Sequence, residues 1–184
     1  LVLVNECVVR RSDEKYDEDN ISIKINGEYV SVNKHFYLLL NKPKGYVSAT
    51  VSDSDKTVID LIPNKYKTRT LFPAGRLDKD TTGLMLITDD GVFAHNILSP
   101  KKHIKKIYEV VIDKDVSDEM INGFKDGVKL NDGECKSALL EKVDTNKCLV
   151  TLTEGRYHQI KRMFGCYKAK VLELKRICMG ELYL

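Results

Sequence analysis

The apolar residues of this chain come in short runs bounded by turn signals, and few of those runs are separated by a stretch long enough for a full helix. Phe36–Leu40, Leu71–Ala74, Leu84–Ile87, Ile107–Ile112, Ser137–Glu141, Cys148–Thr153 and Val171–Leu174 read as strands. Helical signals are fewer. Val58–Ile62 forms a short turn stopped before Pro63. Asp89 or Asp90 starts a helix that runs through Val92, Phe93, Ile97 and Leu98 to Ser99-Pro100. Ser117–Phe124 carries Asp118 and Glu119 in a favourable first turn, and Ile160–Phe164 suits a short helix. Gly127–Gly133 reads as loop or hairpin. The pattern predicts an α+β fold with a mixed, mostly antiparallel sheet, not a doubly wound parallel one. Neither GxGxxG nor GxxxxGK[ST] occurs, so nucleotide-cofactor classes lose support.

The first 30 residues read differently. Leu1–Val4 and Val8-Val9 are short apolar runs, Arg10–Asn20 is a charged loop, and Ile21, Ile23 and Ile25 alternate with polar residues up to an Asn26-Gly27 turn. This piece cannot bury much core by itself. A linker is expected over Glu28–Lys34, so residues 1–30 form one segment and 31–184 the main domain. With 184 residues there is room for one ordinary domain and a small appendage.

Composition narrows the class. Hydrophobic residues make up 42% and charged residues 31%, a globular balance. The net charge of +3 is small, but Glu154–Arg176 holds seven Lys or Arg against two Glu. Lys101, Lys102, Lys105 and Lys106 surround His103, while Asp13, Glu14, Asp17, Glu18 and Asp19 make the N-terminal part acidic. A basic C-terminal half can face phosphates. Cys7, Cys135, Cys148, Cys166 and Cys178 are odd in number and include no CxxC pair, which argues against a disulfide framework or zinc and for a reducing cytoplasm. His35, His95, His103 and His158 show no metal-ligand spacing. No apolar run approaches a membrane span, and no signal peptide is visible.

One stretch, Phe72–Gly91, concentrates the chemistry. It sets a single carboxylate, Asp78, in a polar turn between apolar runs, with Gly75 and Gly83 on either side. Asp80, Asp89 and Asp90 read as turn and cap residues. Gly75-Arg76-Leu77-Asp78 followed by Thr81-Thr82-Gly83-Leu84 resembles the signature of the RNA pseudouridine synthases, and more narrowly of the RsuA-type branch acting on ribosomal RNA. Three further segments agree. Asn41-Lys42-Pro43-Lys44-Gly45 is similar to that family's NKPxG turn, and Lys106-Ile107-Tyr108 to its KxY element. Glu154–Phe164 is close to its EGRYHQVKRMF string. The match covers Phe36 to Gly180.

The resemblance implies a pseudouridine synthase fold with a cleft across the sheet. The N-terminal segment resembles the last strands of an S4-type RNA-binding domain without its helical front part, and relatives continue past Leu184, so truncation is expected at both ends. It further implies that a uridine of ribosomal RNA, in 16S rRNA, is isomerised without cofactor or metal, on naked RNA or a partly assembled small subunit, by a cytoplasmic monomer. Asp78 is then the catalytic carboxylate, attacking C1′ or removing the C2′ proton. Lys161 keeps it ionised and aimed, with Arg162 the alternative. Tyr108 lies against the flipped uracil. Arg76 contacts backbone or fills the gap in the stack, and Leu174 is a pocket wall or a plain core residue. Lys42, Lys44, Lys106, Arg156 and Arg162 are expected to contact substrate, whereas His158 and Gln159 read as loop organisers. Three other readings stand beside this one: a non-catalytic ribosome-assembly protein that binds rRNA, a synthase acting on 23S rRNA, and a metal-dependent hydrolase built on Asp78, Asp80, Asp89 and Asp90.

Overall fold

The computed structural model describes residues 1–17, 21–30, 34–67, 69–99 and 102–184. Parts of the expected Arg10–Asn20 loop and Glu28–Lys34 linker and of the basic stretch Asn64–Thr70, whose sequence reads as loop, together with the Pro100 helix stop and Lys101 of the basic cluster, lie outside the described residues. The chain divides into two compact units, Leu1–Phe36 and Tyr37–Leu184.

The first unit is a small antiparallel sheet of β1 (Val2–Val4), β2 (Cys7–Val8), β3 (Ile23–Ile25) and β4 (Glu28–Val30), in the order β2-β1-β3-β4. The Asn26-Gly27 turn joins β3 to β4, both residues at positive φ (51° and 91°), as a two-residue hairpin requires. Of its apolar side chains Val4 is buried, while Tyr29 and Val30 stay exposed, in keeping with a segment that buries little.

The second unit is organised around one sheet. Its strands are β5 (Tyr37–Lys42), β6 (Phe72–Pro73), β7 (Thr82–Thr88), β8 (Lys106–Ile112), β11 (Leu139–Lys142), β12 (Lys147–Leu152), β13 (Val171–Met179) and β14 (Leu182–Tyr183). A separate hairpin is made by β9 (Lys129–Leu130) and β10 (Gly133–Glu134). The main order is β11-β12-β8-β13-β7-β5, with β14 beside β13 and β6 beside β7. Among the described residues, every pairing in it is antiparallel except β13 with β7. The mixed, mostly antiparallel α+β expectation holds. The main departure is β13: Val171–Leu174 was expected, and the strand runs on to Met179, polar residues included, because β8 and β7 pair with it from both sides.

Three helices complete the unit: α1 (Gly91–Leu98), α2 (Asp118–Asp126) and α3 (Gln159–Cys166). Asp90 caps α1 by accepting from the Phe93 amide at 2.9 Å, and Ser117 caps α2 by accepting from Met120 at 3.3 Å. The main core joins Met120 and Phe124 of α2 and Ile160, Met163 and Phe164 of α3 to Val110 and Ile112 of β8, Cys148 and Val150 of β12 and Leu174 of β13. Alternation puts Lys106, Tyr108, Val110 and Ile112 on one face of β8. The same face is therefore core at one end, under the helices, and open at the other, where Lys106 and Tyr108 line a cleft. β7 is buried from Gly83 through Thr88, with α1 against one of its sides through Ala94.

The parallel β7–β13 contact depends on Gly83, at φ 103° opposite Arg176. A Cβ there would stand 2.1 Å from the Arg176 carbonyl oxygen and 2.8 Å from its nitrogen. Gly83→Ala is expected to cost about 3 kcal/mol or more, through both the clash and the positive φ. Urea unfolding of parent and variant measures it; a loss below about 1 kcal/mol would contradict the close approach.

Candidate active site

The turn bearing Asp78 is fastened from three directions. Lys42, the last residue of β5, is fully buried, and its Nζ donates to the carbonyls of Thr81 (2.7 Å), Asp78 (3.0 Å), Pro43 (3.2 Å) and Lys79 (3.3 Å). Ser48 accepts from the Leu77 amide at 2.9 Å and donates to the Leu77 carbonyl at 2.7 Å. The Gly45 amide donates to the Lys79 carbonyl at 2.8 Å, and the turn closes on itself through Thr81 N–H to the Asp78 carbonyl at 3.1 Å. A loop held this way presents its carboxylate in a fixed position.

Two cationic or ionisable groups from the start of α3 meet that carboxylate. Lys161 Nζ is 3.3 Å from Asp78 Oδ2 and 2.7 Å from Asp80 Oδ1. His158 Nε2 is 3.4 Å from Asp78 Oδ1. Burial pulls the Lys161 pKa down, but its hydrogen bond to Asp80 and the charges of Asp78 and Asp80 outweigh this, so it stands above the ordinary lysine value. The Lys161 hydrogen bond holds Asp80 below the usual carboxylate range. His158 occupies the left-handed region (φ 45°), a conformation costing about 1 kcal/mol or more outside glycine, and its ring stacks on Tyr157 at 3.9 Å.

Asp78 lines a cleft of about 880 Å³, large enough for a nucleotide. Tyr108 is half-buried on its floor, Leu174 is buried beside it, and Arg76 is exposed at its rim. Lys106 is half-buried in the same cleft. Lys44 is exposed and lines a shallower hollow on the other side of Asp78, with Asp80, His158 and Lys161.

Three residues expected to contact substrate are bonded to the protein itself, Arg156 among them although it also lines the cleft. Lys42 is no surface phosphate contact; it is sealed under the turn. Arg156 holds the β9–β10 hairpin by donating to the carbonyls of Asp132 (2.7 Å), Gly133 (3.0 Å) and Glu134 (3.0 Å). Arg162 pairs with Asp132 and donates to the Tyr157 carbonyl at 3.2 Å, so of the two candidates it is Lys161 that reaches Asp78. Adjacent helical residues point about 100° apart, which is why one faces the turn and the other the hairpin. Gln159 organises its loop, accepting from the Arg156 amide at 3.0 Å.

The sequence reading missed three participants. Asp80 reads as a turn residue, and His158 as a loop organiser, because the segment that faces them is some 80 residues away in the chain. Arg176 carries no motif signal, but Leu174 and Arg176 fall on one face once β13 is extended, and both line the cleft. The four-acid hydrolase reading loses its geometry. Asp89 pairs with Arg69, Asp90 caps α1, and among the described residues no group of three or more His, Cys, Asp or Glu is arranged to hold a metal ion.

A family model described as RNA pseudouridylate synthase matches residues 36–165. The chain belongs to the RNA pseudouridine synthase family. Members of this family are isomerases. Its matched region contains Asp78, Tyr108 and Lys161. The chain is 40% identical to an uncharacterized RNA pseudouridine synthase of Bacillus subtilis (strain 168), over 100% of the chain and 79% of that protein. It is 42% identical to the ribosomal small subunit pseudouridine synthase A of Yersinia pestis, over 80% of the chain and 63% of that protein. A crystal structure of a pseudouridylate synthase superposes with a TM-score of 0.78 at 34% identity, over 100% of the chain and 79% of the other. The archaeal box H/ACA sRNP Nop10–Cbf5 complex shares the fold at a TM-score of 0.54 and 16% identity, over 80% of this chain and 48% of that one.

Two variants test this arrangement. Lys42→Met removes the donor shared by four carbonyls at the turn and is expected to lower unfolding free energy by about 3 kcal/mol, read by urea denaturation; an unchanged midpoint would show the ammonium is dispensable. Asp132, held by Arg162 and Arg156, has its pKa pulled down from 3.8 to about 2. A depressed carboxylate stabilises the fold above the unfolded pKa and loses that effect as pH falls through the folded one. The stability difference between parent and Asp132→Asn is therefore expected to be full at pH 5 and to shrink between pH 4 and 2. Acid-dependent denaturation curves that stay parallel would refute it.

Proposed function

We propose that this protein converts a uridine of ribosomal RNA, in the small-subunit 16S rRNA, to pseudouridine, using Asp78 and no cofactor. The observation that carries the reading is a single carboxylate, aimed by a turn fastened through Lys42, Ser48 and Gly45 and paired with Lys161, at a cleft walled by Tyr108 and Leu174. The isomerisation moves a C–N linkage to a C–C linkage on the same base and conserves oxidation state, so it calls for positioning and proton transfer only. The uridine leaves its stack and enters the cleft. Asp78 acts on its ribose, at C1′ or at the C2′ proton, with Lys161 holding the carboxylate in place. Tyr108 lies against the base and helps remove the C5 proton, and Leu174 closes the apolar side. Arg76 and Lys44, both exposed, hold flanking phosphates. The N-terminal unit, by its resemblance to part of an S4-type domain, holds RNA away from the target. The protein acts as a monomer in the cytoplasm, where its substrate is made. Identity at the 40% level to relatives named for the small ribosomal subunit favours 16S over 23S rRNA.

The test is pseudouridine mapping by carbodiimide-blocked primer extension on rRNA and small-subunit particles, with parent and Asp78→Asn protein. One new stop in 16S rRNA is expected with the parent. The variant is expected to lose about 10³-fold or more in rate. A stop in 23S rRNA alone would move the substrate assignment. No stop on any form, with RNA binding retained, would overturn the catalytic reading.

A further inference from the structure

Arg176 is 2% exposed, and it lines the cleft. Its Nε donates to the Leu84 carbonyl at 2.7 Å, which fixes the guanidinium, but its Nη2 is buried with no hydrogen-bond partner among the described residues. A buried unpaired donor costs about 1–3 kcal/mol, and more when charged. Directly across the sheet from Arg176 is Tyr108, and Lys106 lies two residues before Tyr108 on the same face. Among the described residues, Lys106 Nζ donates to the Ile104 carbonyl, at 3.1 Å. Burial pushes the Lys106 pKa down, and the positive charge of Arg176 pushes it further.

Among the described residues neither cation is paired with a carboxylate. The two carboxylates of the cleft are engaged elsewhere: Asp78 with Lys161 and His158, and Glu154 with the Lys136 amide and Gln159. Two like charges set together in a half-dry cleft, with no counter-charge from the protein, are an arrangement for negative charge that arrives with the substrate.

We propose that Lys106 and Arg176 form a cationic floor that stabilises the negative charge left on the uracil ring when its bond to C1′ breaks. The inference rests on the pseudouridine synthase reading and adds a role to it. Whether Asp78 attacks C1′ or removes the C2′ proton, the C1′–N1 electron pair departs with the base. The detached ring is then a uracil anion, its charge spread over N1 and the two carbonyl oxygens. When C5 bonds to C1′ the ring gives up a pair and later the C5 proton, and the charge is gone. The floor thus favours the detached state over the bound nucleoside, which is what accelerates the step. A phosphate is the weaker occupant, because Arg176 is 2% exposed in the sheet beside Tyr108, while the cations Arg76 and Lys44 are exposed.

The experiment compares single-turnover rates on the rRNA fragment identified by mapping, carrying either uridine or 5-fluorouridine at the target. Loss of the parent nucleoside is read by digestion to nucleosides and liquid chromatography for the parent protein, Lys106→Met, Arg176→Met and Arg176→Lys. RNA dissociation constants are measured alongside. Fluorine withdraws electrons and already carries part of the ring's negative charge. Each Met variant is therefore expected to lose about 100-fold on uridine and about 10-fold on 5-fluorouridine, with RNA affinity within about threefold of the parent. Arg176→Lys is expected to keep most of the rate. Equal losses on both RNAs, or a loss carried by affinity as a phosphate contact would give, overturns the floor while leaving the enzyme standing. A parent protein that alters neither RNA sinks the functional reading and this inference with it. An Arg176→Met protein that fails to fold leaves the half-buried Lys106→Met to decide.

Discussion

The ammonium of Lys42 lies among four carbonyl oxygens at the end of β5, and the geometry of the cleft depends on it. A lysine stripped of water is unfavourable unless acceptors replace its hydration. Here the acceptors are the backbone of the turn from Asp78 to Thr81 and of Pro43. The ammonium is satisfied by these oxygens, of which those of Asp78 and Lys79 also accept from the Thr81 and Gly45 amides. One side chain thereby ties the first strand of the second unit to Asp78, 36 positions away.

From that fixed turn the rest follows outward. Asp78 and Asp80 share Lys161, and Asp78 also meets His158, so both partners come from the start of α3. Helix α3 is itself seated by Ile160, Met163 and Phe164 in the main core. Its other polar side is held by Asp132, which gathers Arg156 and Arg162 against the β9–β10 hairpin. The carboxylate is therefore aimed by two independently anchored bodies, a turn and a helix end. Neither could drift without breaking buried contacts, and positional precision of this kind is what effective molarity requires.

The floor of the cleft has a different origin. Alternation along β8 and β13 puts Lys106, Tyr108, Leu174 and Arg176 on the face that, further along, is apolar core. The sheet changes character along its strands because helices cover one end and loops frame the other. The close approach of β7 at Gly83 places the Arg176 backbone against the sheet and lets its guanidinium reach Leu84. A positively charged side chain is thus built into the sheet interior next to the aromatic floor of the cleft.

Local signals in the chain were enough for much of this. Short apolar runs with period two, Asn26-Gly27, the Asp90 and Ser117 caps and the Phe72–Gly91 stretch determined the α+β class, most elements, the family and the position of Asp78, because each depends on neighbours a few residues apart. What the residues alone left open was which charges meet. Lys42 and Arg156 read as substrate contacts, Lys161 was the candidate partner of Asp78 with Arg162 as the alternative, and Arg176 was silent, because a side chain's partner is set by contacts across as many as 92 residues of chain. Only the tertiary structure decided that Lys42 is buried under the turn, that Lys161 faces Asp78 while Arg162 turns to Asp132, and that Arg176 lines the cleft with no counter-charge among the described residues. Burial and pairing are properties of the packed sheet, and no window of sequence contains them.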